Sequence, residues 1–252
     1  MIDLHSHVLP GLDDGAESLA GSLDILRAAG EDGIVQIAAT PHVRDDYPTE
    51  PEAMERGVAE VNAAAQAAGI GVEVLPGGEL DRAFAHSLND ESMRRFGLGG
   101  NPDVLLVEFP YYGWPLELRE LVFRLGARGY QVVLAHPERN SDVQRSPGRL
   151  RELVDAGVLV QVTAASLDGR VGRHAAACAR TLLDDELVHL VASDAHAPAI
   201  RAVGMTEAAV VVGDPELARW LTYDVPHALV TAAPLPPRPR ARQGRLRMRR
   251  RH

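Results

Sequence analysis

Seven short apolar runs rich in β-branched residues recur along the chain, at 2–4 (IDL), 34–39 (IVQIAA), 72–75 (VEVL), 104–109 (VLLVEF), 131–135 (QVVLA), 158–162 (VLVQV) and 188–192 (VHLVA). Between them, apolar residues return with a 3.6-residue period at 17–30, 51–68, 115–128, 148–156 and 171–184, and in a further pair of segments after 205. Strands alternating with helices predict a parallel sheet with helices outside it. The near-continuous apolar character of each strand predicts that both faces are covered. An open, doubly wound sheet and a closed barrel both satisfy this pattern.

The polar residues at the end of each run separate the two. The first run leads into His5 and His7, the second into His42 of TPH, the third into Glu79 of PGGE and the fourth ends on Glu108. The fifth leads into His136 of HPERN and the seventh into Asp194 and His196 of SDAH. Six of the seven strands thus end beside a side chain able to bind metal. In a β/α barrel all strand C-termini meet on one face, whereas an open sheet would spread them along a line. Convergence favours an α/β fold of the distorted (β/α)7-barrel kind, with its site at the C-terminal ends of the strands.

Each residue taken alone has an ordinary explanation. A single histidine at a strand end is more often packing than a ligand, DDG at 13–15 reads as a turn, and Glu79 and Glu108 could cap helices. His86, His174, His189, His227 and His252 lack the strand-end placement and keep that reading. Together, five imidazoles and four carboxylates buried in one place would repel one another and lose solvation unless cations neutralised them. Residues i and i+2 of a strand share a face, so His5 and His7 can grip one ion from a single short segment.

Composition narrows the classes. With 46% hydrophobic residues over 252 positions the chain can bury one large core. No uncharged apolar stretch reaches the length of a membrane span, and residues 2–7 do not read as a signal peptide, so a cytoplasmic protein is expected. The net charge of −9 hides an asymmetry: residues 234–252 carry eight arginines and no acid, and the chain has no lysine. We divide it into a domain over 1–230 and a Pro/Arg-rich basic tail over 231–252, expected to be a solvated extension. Such a tail could meet an anionic membrane surface and place the protein at the inner membrane face; no motif for specific nucleic acid binding accompanies it.

Cysteine-dependent phosphate chemistry is closed to this chain. It needs an arginine six residues after the nucleophile, and six residues after the single cysteine, Cys178, stands Asp184. That cysteine reads as small apolar filler. Amidohydrolases that bridge two metals with a modified lysine are excluded for want of lysine, and no GxxxxGK[ST] or GxGxxG loop supports nucleotide chemistry.

The segments MIDLHSHVLPGLDDGA, ATPH, PGGEL, LLVEFPY, VLAHPERN and VASDAH resemble, in order and spacing, the PHP (polymerase and histidinol phosphatase) superfamily. Within it they are most similar to the bacterial protein-tyrosine phosphatases associated with capsule and exopolysaccharide export. The resemblance covers about residues 1–230 and implies a distorted (β/α)7 barrel with three divalent ions, manganese foremost, with iron, zinc or magnesium as alternatives. Carried over by residue, it implies one ion held by His5, His7, Glu79 and Asp194. A second would be held by Glu108 and His136 with Glu79 bridging, and a third by Asp14, His42 and His196. The choice of Asp14 over Asp13 rests on the resemblance alone. Arg139 and Arg201 would grip phosphate.

The implied substrate is phosphotyrosine on the tail of a bacterial tyrosine kinase. Bottom-up chemistry agrees: three divalent ions set against four carboxylates and a hydroxide leave a site near about +1, which attracts a phosphate dianion. A phenolate leaving group, of parent pKa about 10, needs little protonation. Two other readings compete: a different phosphoesterase of the superfamily, such as a histidinol-phosphate phosphatase, and a non-catalytic, metal-stabilised scaffold of a kinase complex.

Overall fold

The computed structural model describes residues 1–197 and 202–240. Its strands are β1 (Ile2–Ser6), β2 (Gln36–Ala39), β3 (His42–Arg44), β4 (Tyr47–Pro48), β5 (Glu73–Leu75), β6 (Glu79–Leu80), β7 (Val104–Glu108), β8 (Gln131–Ala135), β9 (Leu159–Thr163) and β10 (Leu190–Ala192). All seven predicted runs are strands, and pairing between consecutive runs is parallel.

Two runs break in a way the periodicity does not show. The second pauses at Thr40–Pro41 and resumes as β3; the third pauses at Pro76–Gly78 and resumes as β6. Proline lacks the amide a ladder needs, so each break lets the chain change partners. β2 pairs with both β1 and β5 in a three-stranded sheet of order β1-β2-β5, while β3 and β6 join a seven-stranded sheet in the order β10-β9-β8-β7-β6-β3-β4. The short β4 folds back on β3 as the one antiparallel pair among the described residues. The two outer ends of this arrangement meet: Asp194 N–H donates to His5 C=O at 2.8 Å, His7 N–H donates to Ala195 C=O at 2.8 Å, and Ser6 bridges Ala195.

Helices cover the outer faces. Leu19–Glu31 starts where Ser18 Oγ accepts from Gly21 N–H, and it buries Ile25, Leu26 and Ala29, one face of its 3.6-residue repeat. Pro51–Ala67 opens with proline in its first turn and buries Met54, Val58 and Val61 at the same spacing. Leu118–Ala127 and Arg173–Asp184 pack likewise through Leu121 and Leu125, and through Ala175, Cys178, Ala179 and Leu182. Burial pushes the Cys178 thiol up to about 12, as expected for an inert core residue.

The segment expected to be a solvated extension from 231 departs from that reading over its described part, 231–240. Trp220 Nε1–H donates to Pro236 C=O at 3.0 Å, Arg238 Nη1–H donates to Val188 C=O at 2.6 Å, and the Arg238 guanidinium stands 5.2 Å from the Trp220 ring centre. An indole with an unmatched N–H offers the proline-rich strap both an apolar face and a donor, enough to dock a stretch with no helix or strand of its own. Residues 241–252 lie outside the described residues. Among the described residues no helix is long and apolar enough to cross a membrane.

Candidate metal centre

β1 exposes alternate residues to one side, so Asp3, His5 and His7 line the interior while Ile2 and Leu4 enter the apolar core; all five are buried. His42 and Glu79 open β3 and β6, just past the breaks that follow β2 and β5, Glu108 closes β7, His136 follows β8, and Asp194 and His196 follow β10; the fold brings all six to the same place. His42 and Glu79 stand opposite each other in the β3–β6 register. His136 and Asp194 take left-handed backbone conformations, φ 38° and 54°, which cost non-glycine residues about 1–3 kcal/mol and turn each side chain inward at its strand end.

Within this cluster, four sets of ligand atoms each fit within 4.8 Å: His5, His7 and Asp194; His5, Glu79 and His136; His42, Glu79 and Glu108; and His7, Asp14, His42 and His196. The sets share members, so the cluster is continuous. The first and last contain most of the groupings implied by resemblance. Glu108 differs, standing with His42 and Glu79 rather than with His136. Asp14 Oδ1 lies 3.3 Å from His196 Nε2 and 3.5 Å from His42 Nε2.

Asp13 points elsewhere. Its carboxylate accepts from His7 Nδ1–H at 2.6 Å and from the backbone N–H groups of His42 and Gly15 at 3.0 Å each. This holds the proton on Nδ1 and leaves His7 Nε2 as the inward lone pair. The turn that allows it needs Gly15, because a Cβ there would stand 2.1 Å from the His7 carbonyl oxygen. Gln161 does the same for His5, its Oε1 lying 3.0 Å from Nδ1, and the Asp194 carbonyl does so for His196, 2.9 Å from Nδ1. Sequence reasoning passed over Asp13 as turn and Gln161 as strand, although a lone glutamine inside the apolar run VLVQV was a visible signal.

The electrostatics show a centre short of positive charge. Glu79 Oε2 is buried and makes no aligned hydrogen bond, while His42 Nδ1, His5 Nε2 and His7 Nε2 stand 3.0, 3.4 and 3.5 Å away. His5 Nε2 and His7 Nε2 are 3.3 Å apart and 3.5 and 3.3 Å from Asp194 Oδ1. Burial works against charge on His42, yet Asp14 and Glu79 outweigh it and raise its pKa to about 9. His7 is likewise raised well above its usual range: burial opposes, but Asp13 and Asp194 prevail. Burial disfavours the Glu79 and Asp194 carboxylates too, and the surrounding imidazoles, with Arg139 beside Asp194, overcome it and hold both well below the normal range. Glu108 moves the other way, raised by burial and by repulsion from Glu79, although Arg44 Nη1 pairs with it at 3.2 Å. Facing Nε2 and Nδ1 atoms and carboxylate oxygens at these separations are a donor set able to hold metal ions.

Arg139 lies at the edge of the cluster. Its Nη1 pairs with Asp194 Oδ2 at 2.7 Å and reaches Tyr111 Oη at 3.4 Å; the side chain is only 8% exposed, and Nε and Nη2 make no hydrogen bond. Two donors of a buried guanidinium therefore remain to be matched, as an oxyanion would match them. Arg201 lies outside the described residues. Tyr111 was not foreseen: its ring stacks on His136 at 5.8 Å with planes 3° apart, walling one side of the centre.

The chain is thus an α/β protein of mostly parallel strands with a buried histidine–carboxylate centre. Residues 1–224 match the family model for capsular polysaccharide synthesis, CpsB/CapC, and the chain belongs to that family. It is similar to the tyrosine-protein phosphatase YwqE of Bacillus subtilis (38% identical over 197 residues, 78% of this chain and 77% of YwqE). It is also similar to the tyrosine-protein phosphatase CpsB of Streptococcus agalactiae (25% over 218 residues, 84% and 89%). A crystal structure from work on YwqE of B. subtilis and CpsB of Streptococcus pneumoniae, described as unique metal-dependent tyrosine phosphatases, superposes with a TM-score of 0.83 at 33% identity. The match covers 96% of this chain and all of that one.

Proposed function

We propose that this chain is a metal-dependent protein-tyrosine phosphatase that hydrolyses phosphotyrosine on a bacterial tyrosine kinase controlling capsule or exopolysaccharide synthesis. The observation that carries the reading is the continuous cluster of five histidines and four carboxylates, with Arg139 beside it, in a chain of the CpsB/CapC family. The strands form a distorted (β/α)7 barrel; the bonds between His5, His7 and the Asp194–Ala195 pair support its closure. Residues 1–230 are the phosphatase domain. The protein works in the cytoplasm, with the basic tail available to an anionic membrane surface.

His5, His7, Asp14, His42, Glu79, Glu108, His136, Asp194 and His196 would hold three divalent ions, manganese first among them, with Glu79 shared between two. Bound ions of this kind activate water at neutral pH and neutralise phosphoryl charge. The protein's own part is to position and to exclude. Asp13, Gln161 and the Asp194 carbonyl fix which nitrogen of His7, His5 and His196 faces inward. Arg139 and Arg201 take the phosphate oxygens; the free Nε and Nη2 of Arg139 suit two of them. Tyr111 over His136 keeps one flank of the centre from water. Cys178 does not serve as covalent nucleophile, since it lies in the helical core with its thiol pushed up to about 12.

Turnover of p-nitrophenyl phosphate and of a phosphotyrosine peptide should therefore vanish with a strong chelator, return with Mn²⁺, and be the same in Cys178→Ser as in the parent. Elemental analysis of the purified protein accompanies the assay. Loss of activity in Cys178→Ser at unchanged metal content would overturn the reading.

A further inference from the structure

Two cavities open on either side of Tyr111, and their charges differ. One, of about 410 Å³, is lined by Arg44 and Arg82 but also by Asp46, Asp81 and Glu108. The other, of about 520 Å³, is lined by Tyr111, Arg139, Gln144, Val171, the segment Gly172–Arg173–His174 and Ala175, and no carboxylate faces it. In a chain of net charge −9, a lining whose formally charged side chains are both arginines needs an explanation.

Three features of the second cavity suit an anion. Arg173 and His174 are exposed, and among the described residues Arg173 pairs with no carboxylate, its Nε reaching only His174 Nε2 at 3.4 Å. Asp168, on the preceding loop, is taken up by Arg170 at 2.7 Å. The helix Arg173–Asp184 begins at the cavity with Gly172 as its cap, no side-chain capping bond and no acid in its first turn, so its positive end is unanswered. Arg139, whose buried side chain offers Nε and Nη2 to the phosphate, lines the same cavity, so a group held there sits beside the phosphate. That residue pairs with Asp194 of the metal centre and so places the cavity beside it.

We propose that this cavity is a substrate subsite that takes an acidic residue next to the phosphotyrosine, so that the protein prefers phosphotyrosines in acidic sequence. The inference rests on the tyrosine phosphatase reading and deepens it. Charge complementarity selects the occupant: a carboxylate side chain meets Arg173, His174 and the helix N-terminus while the phosphate engages Arg139 and the centre. The cavity on the Arg82 side, with three carboxylates, would repel the same residue.

The experiment compares two phosphotyrosine peptides that differ only in having glutamate or glutamine beside the phosphotyrosine, on the manganese-loaded full chain. We expect kcat/KM to favour the glutamate peptide about tenfold, and Arg173→Glu to reduce that ratio to about one or below, with His174→Ala giving a partial loss. Binding of the same pair as non-hydrolysable phosphonates, by fluorescence anisotropy, reads the subsite even if turnover is absent, and it separates failure of the subsite from failure of the phosphatase reading. An equal response to the two peptides by the parent protein, or a preference that survives Arg173→Glu, would overturn the proposal.

Discussion

Asp13 and Arg139 border the same cluster and do opposite work. Asp13 grips His7 Nδ1 and two backbone amides, so its influence on the centre passes through the orientation of an imidazole. Arg139 presents unmatched donors. We expect Asp13→Ala to weaken metal retention about 10–100-fold, the scale for losing an orienting partner of a metal-binding histidine. Arg139→Ala should instead keep its metal while kcat/KM falls about 10²-fold. Elemental analysis beside steady-state kinetics distinguishes them, and an Arg139 variant that lost metal in step with activity would give that residue a structural role through Asp194. At this scale the sequence made the cluster legible because its members stand directly after apolar runs. It did not reveal Asp13 or Gln161, since a hydrogen bond to the outer nitrogen of a histidine leaves no spacing pattern.

Among the elements, the seven runs and the long helices were readable because each repeats its apolar residues with the period of its backbone. The pieces that escaped are those without room for a period: β3, β4 and β6, of two or three residues each, and short helices such as Arg82–Ser87 and Ser141–Arg145. Their positions are set by Pro41, by the Pro76–Gly78 break and by caps such as Asn140, which are local rather than periodic signals. β10 carries a titration of its own at the end remote from the centre. Val160 N–H donates to His189 Nδ1 at 3.2 Å, which requires a neutral ring; burial first, and then the Arg238 charge, lower its pKa to about 4. A histidine depressed in the folded state lends stability above its unfolded value near 6.5 and loses it as pH falls towards 4. Metal-free protein should therefore lose about 2–3 kcal/mol over that interval that His189→Gln does not, as read from urea unfolding at several pH values.

For the molecule as a whole, the strap at 231–240 changes what a truncation means. Removing residues 241–252 leaves the Trp220–Pro236 bond and the Arg238 contacts intact, whereas ending the chain at 233 removes both. The shorter chain should unfold about 4–8 °C lower, from a loss of about 2 kcal/mol in one indole hydrogen bond, one cation–π contact and one charged bond to a carbonyl. The chain ending at 240 should match the parent in melting and in turnover of a small phosphate ester, and should differ only in sedimentation with anionic vesicles at low salt. Equal vesicle binding by both would remove the membrane from the picture.

Arg238 is pinned to Val188, ahead of β10, while Asp194 and His196 of the cluster follow the other end of that strand. The contact that holds the strap and these two residues of the cluster thus lie at opposite ends of β10. Any surface that took hold of the strap would leave these two residues at the far end of β10. A substrate approaching from the strap's side would have to reach around the domain, which a long, free-swinging segment can do and a short, anchored one cannot.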